Sequence, residues 1–372
     1  MPKTTKTRIL INIIMTLLLL ISLVAVAVAV FLYLAPTFGA KPSGESLSKI
    51  ENSKQTRNGK FVNSVETVLS TRKPEDSMGL TTYIFPAKDK NPTTPLPSVK
   101  FEKDQFESGD FVWFGHSTVM FRSDKLTVMS DPVFNRASPI PIGGKPFAMQ
   151  ATPSIDQLPR IDVVIISHDH YDHLDHLAIR ELASLVDLFL VPLGIQDHLL
   201  RWGVPATNII ELDWYETHTV ADTIFTLTPA RHFSGRGITN RNSTLWGSWV
   251  IQSSNTSVFF GGDSGYFDGF KTIGNLFGPF DIAFIENGAY DKQWSQIHMQ
   301  PEEAVQAAMD IDAKMLFPIH WGKFDLAKHP WKEPIERVVQ IAEEKNMPIA
   351  ASVIGQIFQL DSIPLEAWWE SE

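Results

Sequence analysis

The sequence has no cysteine among its 372 residues, which excludes disulfide bonds, thiolate nucleophiles and cysteine-based zinc sites. Positive charge is also scarce, since 32 lysines and arginines face 42 aspartates and glutamates and the net charge is −10. A nucleic-acid enzyme typically carries a basic surface, so we expect no nucleic-acid partner. Hydrophobic residues, by contrast, make up 44% of the chain, enough at this length to bury a full core.

One long stretch carries no charge at all. Residues 9–35 are apolar or uncharged and exceed the roughly 20 residues that a helix needs to cross a bilayer. A cleavable signal peptide has an apolar core of only about 7–15 residues, so we predict an uncleaved anchor over residues 1–36. Lys3, Lys6 and Arg8 precede the span and favour a cytoplasmic amino terminus. The protein is therefore predicted to be a single-pass membrane protein whose remaining chain lies outside the cytoplasm.

A dense group of metal-ligand side chains follows the apolar run at residues 161–166. Within six residues the chain presents His168, Asp169, His170, Asp172 and His173. Neutral imidazole and carboxylate suit zinc, and three protein ligands per ion leave a position for a reactive water. A six-residue turn is too short to wrap one ion with four side chains, so we expect two adjacent ions. The alternative is a polar loop in which the histidines have no ligand role.

Three further candidate ligands each end a strand-like apolar run far along the chain. His232 follows residues 224–231, Asp263 follows residues 257–262, and His320 follows residues 315–319. Runs of this length beside Gly or Pro are typical of buried strands, whose ends can converge on one sheet edge. The complete set is five histidines and two aspartates, enough for two ions if Asp263 bridges them.

The remaining sequence suggests one catalytic domain behind a connecting region. Residues 37–99 are largely polar and are predicted to form a tether and irregular extension that ends in the turn-rich stretch 92–97. Residues 100–372 are predicted to form one domain of the α/β class, which carries all the candidate metal ligands. Helical periodicity is seen at residues 175–185, 195–201, 301–309 and 334–344, and a strand-like run at residues 349–357 is predicted near the end.

The motif His-x-His-x-Asp-His, found at residues 168–173, resembles the defining motif of the metallo-β-lactamase superfamily. Several other segments resemble its N-acylphosphatidylethanolamine phospholipase D branch: Trp-Phe-Gly-His-Ser-Thr-Val at 113–119, Thr-Pro-Ala-Arg-His at 228–232, Leu-Trp-Gly-Ser-Trp at 245–249, Gly-Asp-Ser-Gly-Tyr at 262–266, His-Met-Gln-Pro-Glu-Glu-Ala at 298–304 and Ile-His-Trp-Gly at 319–322. The resemblance implies a four-layer αββα sandwich with two zinc ions at one edge. It also implies the ligand sets: His168, His170 and His232 for the first ion, Asp172, His173 and His320 for the second, and Asp263 as the bridge.

The branch cleaves phosphodiester bonds of glycerophospholipids, which would suit an enzyme anchored beside its substrate. A phosphodiester leaving group needs a proton, and His298 is the candidate to supply it or to bind a phosphate oxygen. The alternative for His298 is a surface histidine at a helix entry. Asp263 could also accept the proton of the attacking water, although a carboxylate held by two cations is a weak base.

Alternative functions share the same metal ligands. They are a lactonase or other small ester hydrolase, an iron-dependent dioxygenase, and a non-catalytic module that binds metal for stability.

The remaining polar candidates are assigned structural or surface roles. His116 and His176 are predicted to be structural and His198 to lie at the surface. Asp175 is predicted to cap a helix, and Arg236 and Arg241 either grip a phosphate or stand as solvated loop residues. The sequence indicates no oligomeric state.

Overall fold

The computed structural model describes residues 3–71, 89–123, 125–362, 364 and 366–371. Helix α1 (Lys3–Leu34) opens the chain, and its apolar part, Thr7–Leu34, is long and apolar enough to cross a membrane. None of the side chains in its most apolar window is buried against the rest of the protein. A helix that is hydrophobic on all sides and uncovered by protein fits a lipid environment.

Two sheets form the centre of the body. The first has seven strands in the order β15-β3-β4-β5-β6-β7-β8, and the second has six in the order β14-β13-β12-β11-β10-β9. The strands of the first are β3 (Phe111–Trp113), β4 (Val119–Ser123), β5 (Leu126–Ser130), β6 (Ile161–Ile165), β7 (Val186–Pro192), β8 (Ile209–Leu212) and β15 (Ile357–Phe358). Those of the second are β9 (Thr217–Val220), β10 (Thr223–Thr228), β11 (Ser248–Gln252), β12 (Ser257–Phe260), β13 (Ile282–Glu286) and β14 (Leu316–Ile319).

Strand β6 shows why the sheets are covered on both faces. Successive side chains of a strand point to opposite faces. Val163 and Ile165 belong to the core shared with the second sheet, whereas Ile161 and Val164 belong to the core beneath the outer helices. All four are fully buried. A continuous apolar run is what a parallel strand needs when both faces are buried, and β6 pairs in parallel with β5 and β7.

Helices cover both outer faces and complete the predicted αββα sandwich. Helices α3 (His176–Leu182) and α4 (Gln196–Arg201) lie over the first sheet, and α5 (Gly269–Phe277), α6 (Pro301–Asp310) and α7 (Glu333–Lys345) lie over the second. In α7 the buried residues Ile335, Val338 and Ala342 follow helical spacing and form one apolar stripe. The helix begins with Pro334 in its first turn and ends at Asn346 in the left-handed conformation.

The segment after α1 packs against the body. It contains helix α2 (Gly44–Asn52) and the short hairpin β1 (Thr56–Arg57) and β2 (Lys60–Phe61). The hydroxyl of Ser43 donates to Asp197 over 2.6 Å, and that of Ser46 donates to Glu211 over 2.8 Å. The predicted division at residues 37–99 also includes residues 72–88, which lie outside the described part of the chain.

One predicted strand is wrong. Residues 349–357 form a strand only at their end, in β15, and contact their neighbours through isolated bridges at Ile349 and Ile354. Gly355 has a φ of +83°, which breaks the extended conformation before β15 begins. The run is apolar because it packs into the core, and apolar composition alone does not determine pairing.

Candidate metal centre

The seven predicted ligands lie together at one edge of the two sheets. Strands β6, β10, β12 and β14 all end at this edge, and each is followed by ligands from its own loop. Candidate ligand atoms at this edge fall into three adjoining groups, within each of which all atoms lie within 4.8 Å of one another. The first group contains His168, His170, His232 and Asp263, the second contains His116, Asp172, His173 and His320, and the third adds Glu286 and His298 to Asp263 and His320.

In the first group three imidazole nitrogens converge on one point. Nε2 of His168 lies 2.9 Å from Nδ1 of His170, which lies 3.2 Å from Nε2 of His232. Oδ2 of Asp263 is 3.8 Å from His168 and 3.7 Å from His232. Nδ1 of His232 is 2.9 Å from the carbonyl oxygen of Ile297, and a proton donated there leaves the lone pair of Nε2 facing the group.

The second group surrounds one oxygen of Asp172. Oδ2 of this carboxylate lies 3.1 Å from Nε2 of His116, 3.3 Å from Nε2 of His320 and 3.6 Å from Nε2 of His173. Asp263 reaches this group as well, with Oδ1 at 3.2 Å from His173 and Oδ2 at 3.1 Å from His320. Asp263 thus faces histidines of both the first and the second group.

The residues present fit divalent cations. Burial lowers the pKa of His168 and His232 well below the usual range, so these imidazoles are neutral, as metal ligands must be. Neutral nitrogens 2.9 to 3.2 Å apart repel one another through their lone pairs unless a proton or a cation lies between them. Within the described residues, the buried atoms Nε2 of His173, Nε2 of His320 and Oδ1 of Asp263 make no hydrogen bond. Donor sets of this kind suit zinc.

The buried carboxylates at the second group also need positive charge nearby to stay ionised. Burial tends to raise the pKa of Asp263 and Asp172, but the adjacent imidazoles outweigh it and hold both pKa values well below the usual range. Burial alone would lower the pKa of His320 and His173, but the two carboxylates outweigh it. They raise the pKa of His320 to about 10 and the pKa of His173 well above its usual value. Without a metal, protons on these histidines balance the carboxylates. A dication can replace those protons.

His116 lies within the second group, beside the predicted ligands, and its structural role stays a prediction. Its side chain is buried, and its ring centroid lies 4.0 Å from that of His320. Both residues have left-handed φ values, 56° for His116 and 69° for His320. The backbone N–H of His320 donates to the carbonyl of His116 over 2.9 Å, and that of His116 donates to Trp321 over 3.0 Å. The two loops are therefore locked together in strained conformations that aim both rings at Asp172.

Asp131 supports the site and was not recognised in the sequence. It follows β5 directly and is fully buried. Its carboxylate accepts hydrogen bonds from the backbone N–H of Ser167 at 2.7 Å and from the Ser167 hydroxyl at 2.5 Å. Nδ1 of His173 lies 2.7 Å away. The only sequence signal was an aspartate at the end of a buried strand, which without its partners is also typical of an ordinary turn.

Asp169 points away from the ligands. Its carboxylate accepts from the backbone N–H of Gly235 at 2.7 Å and from the Thr244 hydroxyl at 3.0 Å, and lies 3.4 Å from Nε2 of His198. Burial tends to raise the pKa of Asp169, but His198 and the other donors lower it to about 2. The prediction that His198 lies at the surface is wrong, because the ring is buried and accepts a hydrogen bond from the backbone N–H of Ala40.

Arg236 has neither of its two predicted roles, because it does not bind phosphate as a free side chain and does not lie in solvent. Its side chain is buried, and Nη1 donates to the carbonyls of Asp169 and Leu174, each over 2.7 Å. The guanidinium also lies 4.2 Å from the ring centroid of Tyr171. A planar fork with several fixed donors can hold both ends of the ligand loop at once. Asp175 caps α3 as predicted, through hydrogen bonds from Leu177 and Ala178.

His298 lies beside the ligands, with its ring centroid 5.1 Å from that of His232 and 5.5 Å from that of His320. The fully buried carboxylate of Glu286, at the end of β13, lies 3.3 Å from Nδ1 of His298. Its other oxygen accepts from the backbone N–H of Met299 over 2.8 Å. Glu286 was missed because it follows its strand without any motif of its own. The pair fixes the His298 ring, with Nδ1 toward Glu286.

Comparison with known proteins agrees with this geometry. The beta-lactamase superfamily domain matches residues 127–321. An uncharacterized protein of Mycobacterium tuberculosis is 40% identical over 332 residues, covering 86% of this chain and 88% of that protein. The N-acyl-phosphatidylethanolamine-hydrolyzing phospholipase D 1 of Caenorhabditis elegans is 32% identical over 269 residues, covering 68% and 76%.

A solved structure shares the fold. Igni18, a metallo hydrolase from Ignicoccus hospitalis, matches 67% of this chain and 97% of its own with a TM-score of 0.51 at 20% identity. Identity at this level supports the fold alone. The family match covers just over half of the chain, and the sequence relatives span most of it. This chain therefore belongs to the metallo-β-lactamase superfamily of metal-dependent hydrolases, in the branch of the N-acylphosphatidylethanolamine phospholipase D relatives.

Proposed function

We propose that this protein is a membrane-anchored binuclear zinc hydrolase that cleaves phosphodiester bonds of glycerophospholipids in the manner of a phospholipase D. The observation that carries the proposal is the pair of adjoining ligand groups that share Asp263. His168, His170 and His232 would hold the first ion, Asp172, His173 and His320 the second, and Asp263 would bridge them. Sites with two adjacent divalent ions are usual in phosphoryl-transfer enzymes.

The chain's own residues define the chemistry. A bound pair of divalent ions supplies a nucleophile at neutral pH and neutralises charge on the phosphoryl group. Water adds to phosphorus, the bond to the headgroup oxygen breaks, and the departing alkoxide needs a proton. His298 would give that proton or bind a phosphate oxygen, since Glu286 occupies its Nδ1 side and leaves Nε2 available. Asp263 is better suited to hold metal than to act as a base.

The substrate class rests on two features. The Caenorhabditis elegans relative is named for the hydrolysis of N-acyl-phosphatidylethanolamine. Helix α1 would hold the catalytic domain beside its lipid substrate. We place the anchor at residues 1–36, the extension at residues 37–99 and the hydrolase domain at residues 100–372. We place that domain outside the cytoplasm, since basic residues precede the span.

The experiment uses the full chain, purified in detergent and loaded with zinc. It is assayed against bis(p-nitrophenyl)phosphate, phosphatidylethanolamine with and without an N-acyl group, and a simple lactone. We expect the enzyme to release phosphatidic acid from the phospholipid. Elemental analysis should find two zinc ions bound per chain. His232→Ala and Asp263→Ala should lose metal and activity. His176→Ala is the matched control, since this half-buried histidine lies outside all of the ligand groups.

Other outcomes identify the rival functions. Turnover of the lactone with none of any phosphodiester would replace the phospholipase by an ester hydrolase. Iron in place of zinc, with oxygen consumption, would point to a dioxygenase on the same fold. A fully metal-loaded preparation that turns over no substrate would favour a binding module and overturn the proposed hydrolysis.

A further inference from the structure

The chain leaving the anchor is fixed to the body within a few residues. Nη2 of Arg201 donates to the carbonyl of Leu34 over 2.9 Å, and Nε1 of Trp202 donates to Pro36 over 2.8 Å. Nε of the buried Arg236 donates to Thr37 over 2.9 Å. These donors belong to planar groups on packed elements of the body. Helix α1 therefore leaves the body at a defined place rather than on a flexible tether.

A loop with an exposed isoleucine lies beside this exit point. Ile238 follows Arg236 by two residues and is 80% exposed, far more than an apolar side chain in a folded body usually is. It lines a groove of about 660 Å³ that is also lined by the last turn of the anchor, including Leu32, Tyr33 and Leu34. Tyr33 is itself 81% exposed. The groove is therefore built partly from a helix that is apolar enough to lie in lipid.

We propose that the loop at residues 235–241 is a membrane-contacting surface, and that the groove beside it is occupied by phospholipids of the leaflet in which the anchor ends. This rests on the membrane anchor of the proposed function. Since α1 reaches the bilayer surface near Leu34, the groove lies at the same level. Ile238 then enters the boundary between headgroups and acyl chains, as apolar side chains of interfacial segments do. The exposed Lys41, which also lines the groove, faces the lipid phosphates.

The residues that lead into this loop contact the metal centre. The ring of Phe233 lies 4.5 Å from that of His170, and the guanidinium of Arg241 lies 5.5 Å from the Phe233 ring centroid. The hydroxyl of Tyr171 donates to the carbonyl of Arg236. A segment of fewer than ten residues therefore contacts a predicted ligand at one end and the anchor groove in its middle. This places the edge of the site close to the bilayer surface.

The absence of cysteine makes a direct test possible, because a single introduced thiol is the only one to label. The full chain carrying Ile238→Cys is labelled with an environment-sensitive fluorophore and reconstituted into phosphatidylcholine vesicles with or without brominated acyl chains. Leu20→Cys, in the middle of α1, is the positive control. Leu276→Cys is the negative control, since Leu276 is 60% exposed on α5, in the outer layer opposite α4.

We expect bromine to quench the probes at positions 20 and 238 to about half of their fluorescence or less, and to leave the probe at position 276 unchanged. Quenching at position 20 without quenching at 238 would overturn the membrane-contacting loop and leave the anchor intact. No quenching at either position would overturn the anchor itself. Equal quenching at 276 would show contact that is not specific to this loop and would also overturn the proposal. Retained zinc content verifies that each labelled chain is folded.

Discussion

The carboxylate of Asp131 lies 2.7 Å from Nδ1 of His173, 42 residues away in sequence, and both side chains are fully buried. Asp131 is held in turn by the backbone N–H and the hydroxyl of Ser167. The pair fixes the imidazole so that its Nε2 faces Asp172 and Asp263. A ligand imidazole whose second nitrogen donates to a carboxylate is oriented and made more basic.

Replacing Asp131→Asn should therefore weaken metal binding. The amide keeps the shape but loses the negative charge that attracts the N–H of His173. We expect the affinity for zinc to fall by about 10 to 100-fold, measured by competition with a chromophoric chelator. The control is Asp187→Asn, which alters an exposed aspartate paired with Arg160. Unchanged affinity in Asp131→Asn would contradict the orienting role.

Glu286→Gln should lower kcat more for substrates whose leaving group needs a proton than for substrates whose leaving group does not. The buried carboxylate lies against Nδ1 of His298, so its loss frees the ring to turn. If His298 protonates the departing alkoxide, its own removal costs about 10² to 10⁴-fold in kcat on an alkyl phosphodiester. Glu286→Gln should show part of that loss.

Bis(p-nitrophenyl)phosphate provides the internal comparison, because p-nitrophenolate leaves without a proton. Its kcat should fall much less than that of a phospholipid in the same variant. Glu302→Gln, which changes an exposed residue paired with Arg337, is the matched control. Equal losses on both substrates would rule out a leaving-group role for the pair.

Zinc binding should release protons. In the metal-free protein the pKa of His320 is raised to about 10, so at pH 8 this imidazole carries a proton that the metal must displace. The affinity should therefore weaken as the pH falls. Calorimetric titration at pH 8 in two buffers of different ionisation enthalpy counts the protons released. His320→Gln should release fewer protons than the wild type, and identical counts would refute the assignment.

Lys323 should make stability depend on pH. Its buried Nζ donates to the carbonyls of Phe114 and Val133, and burial lowers the pKa from its usual 10.5 to about 7. Between these values the unfolded state binds more protons than the folded state. The free energy of unfolding should thus rise with pH through this window, by up to about 1.4 kcal/mol per pH unit.

Lys323→Met removes this dependence, so urea denaturation at pH 7 and pH 9 should show the rise in the wild type relative to the variant. The variant should also lose about 1 to 3 kcal/mol, because two buried carbonyls are left without a donor. Lys103→Met, which changes an exposed lysine, serves as the control. Parallel pH profiles in all three proteins would show that Lys323 stays charged.

The sequence by itself determined the α/β class and the set of predicted ligands. His168 to His173 stand in one short motif, and His232, Asp263 and His320 each follow an apolar strand. Both signals are local, and the ends of similarly directed strands meet at one sheet edge. The helices are also local features, as shown by α6, predicted at residues 301–309 and observed at Pro301–Asp310 with a proline start and a capping box.

Only the tertiary structure decided which polar side chains support the ligands. Arg236 bonds Thr37, 199 residues away, and Asp131 bonds His173, 42 residues away. The imidazoles of His198 and His116 are buried and contact groups from distant segments, the backbone N–H of Ala40 and the carboxylate of Asp172 respectively. Whether a charged side chain is solvated or buried depends on partners that no local pattern specifies. The ligand chemistry is therefore local in the chain, whereas the network that orients it is a property of the fold.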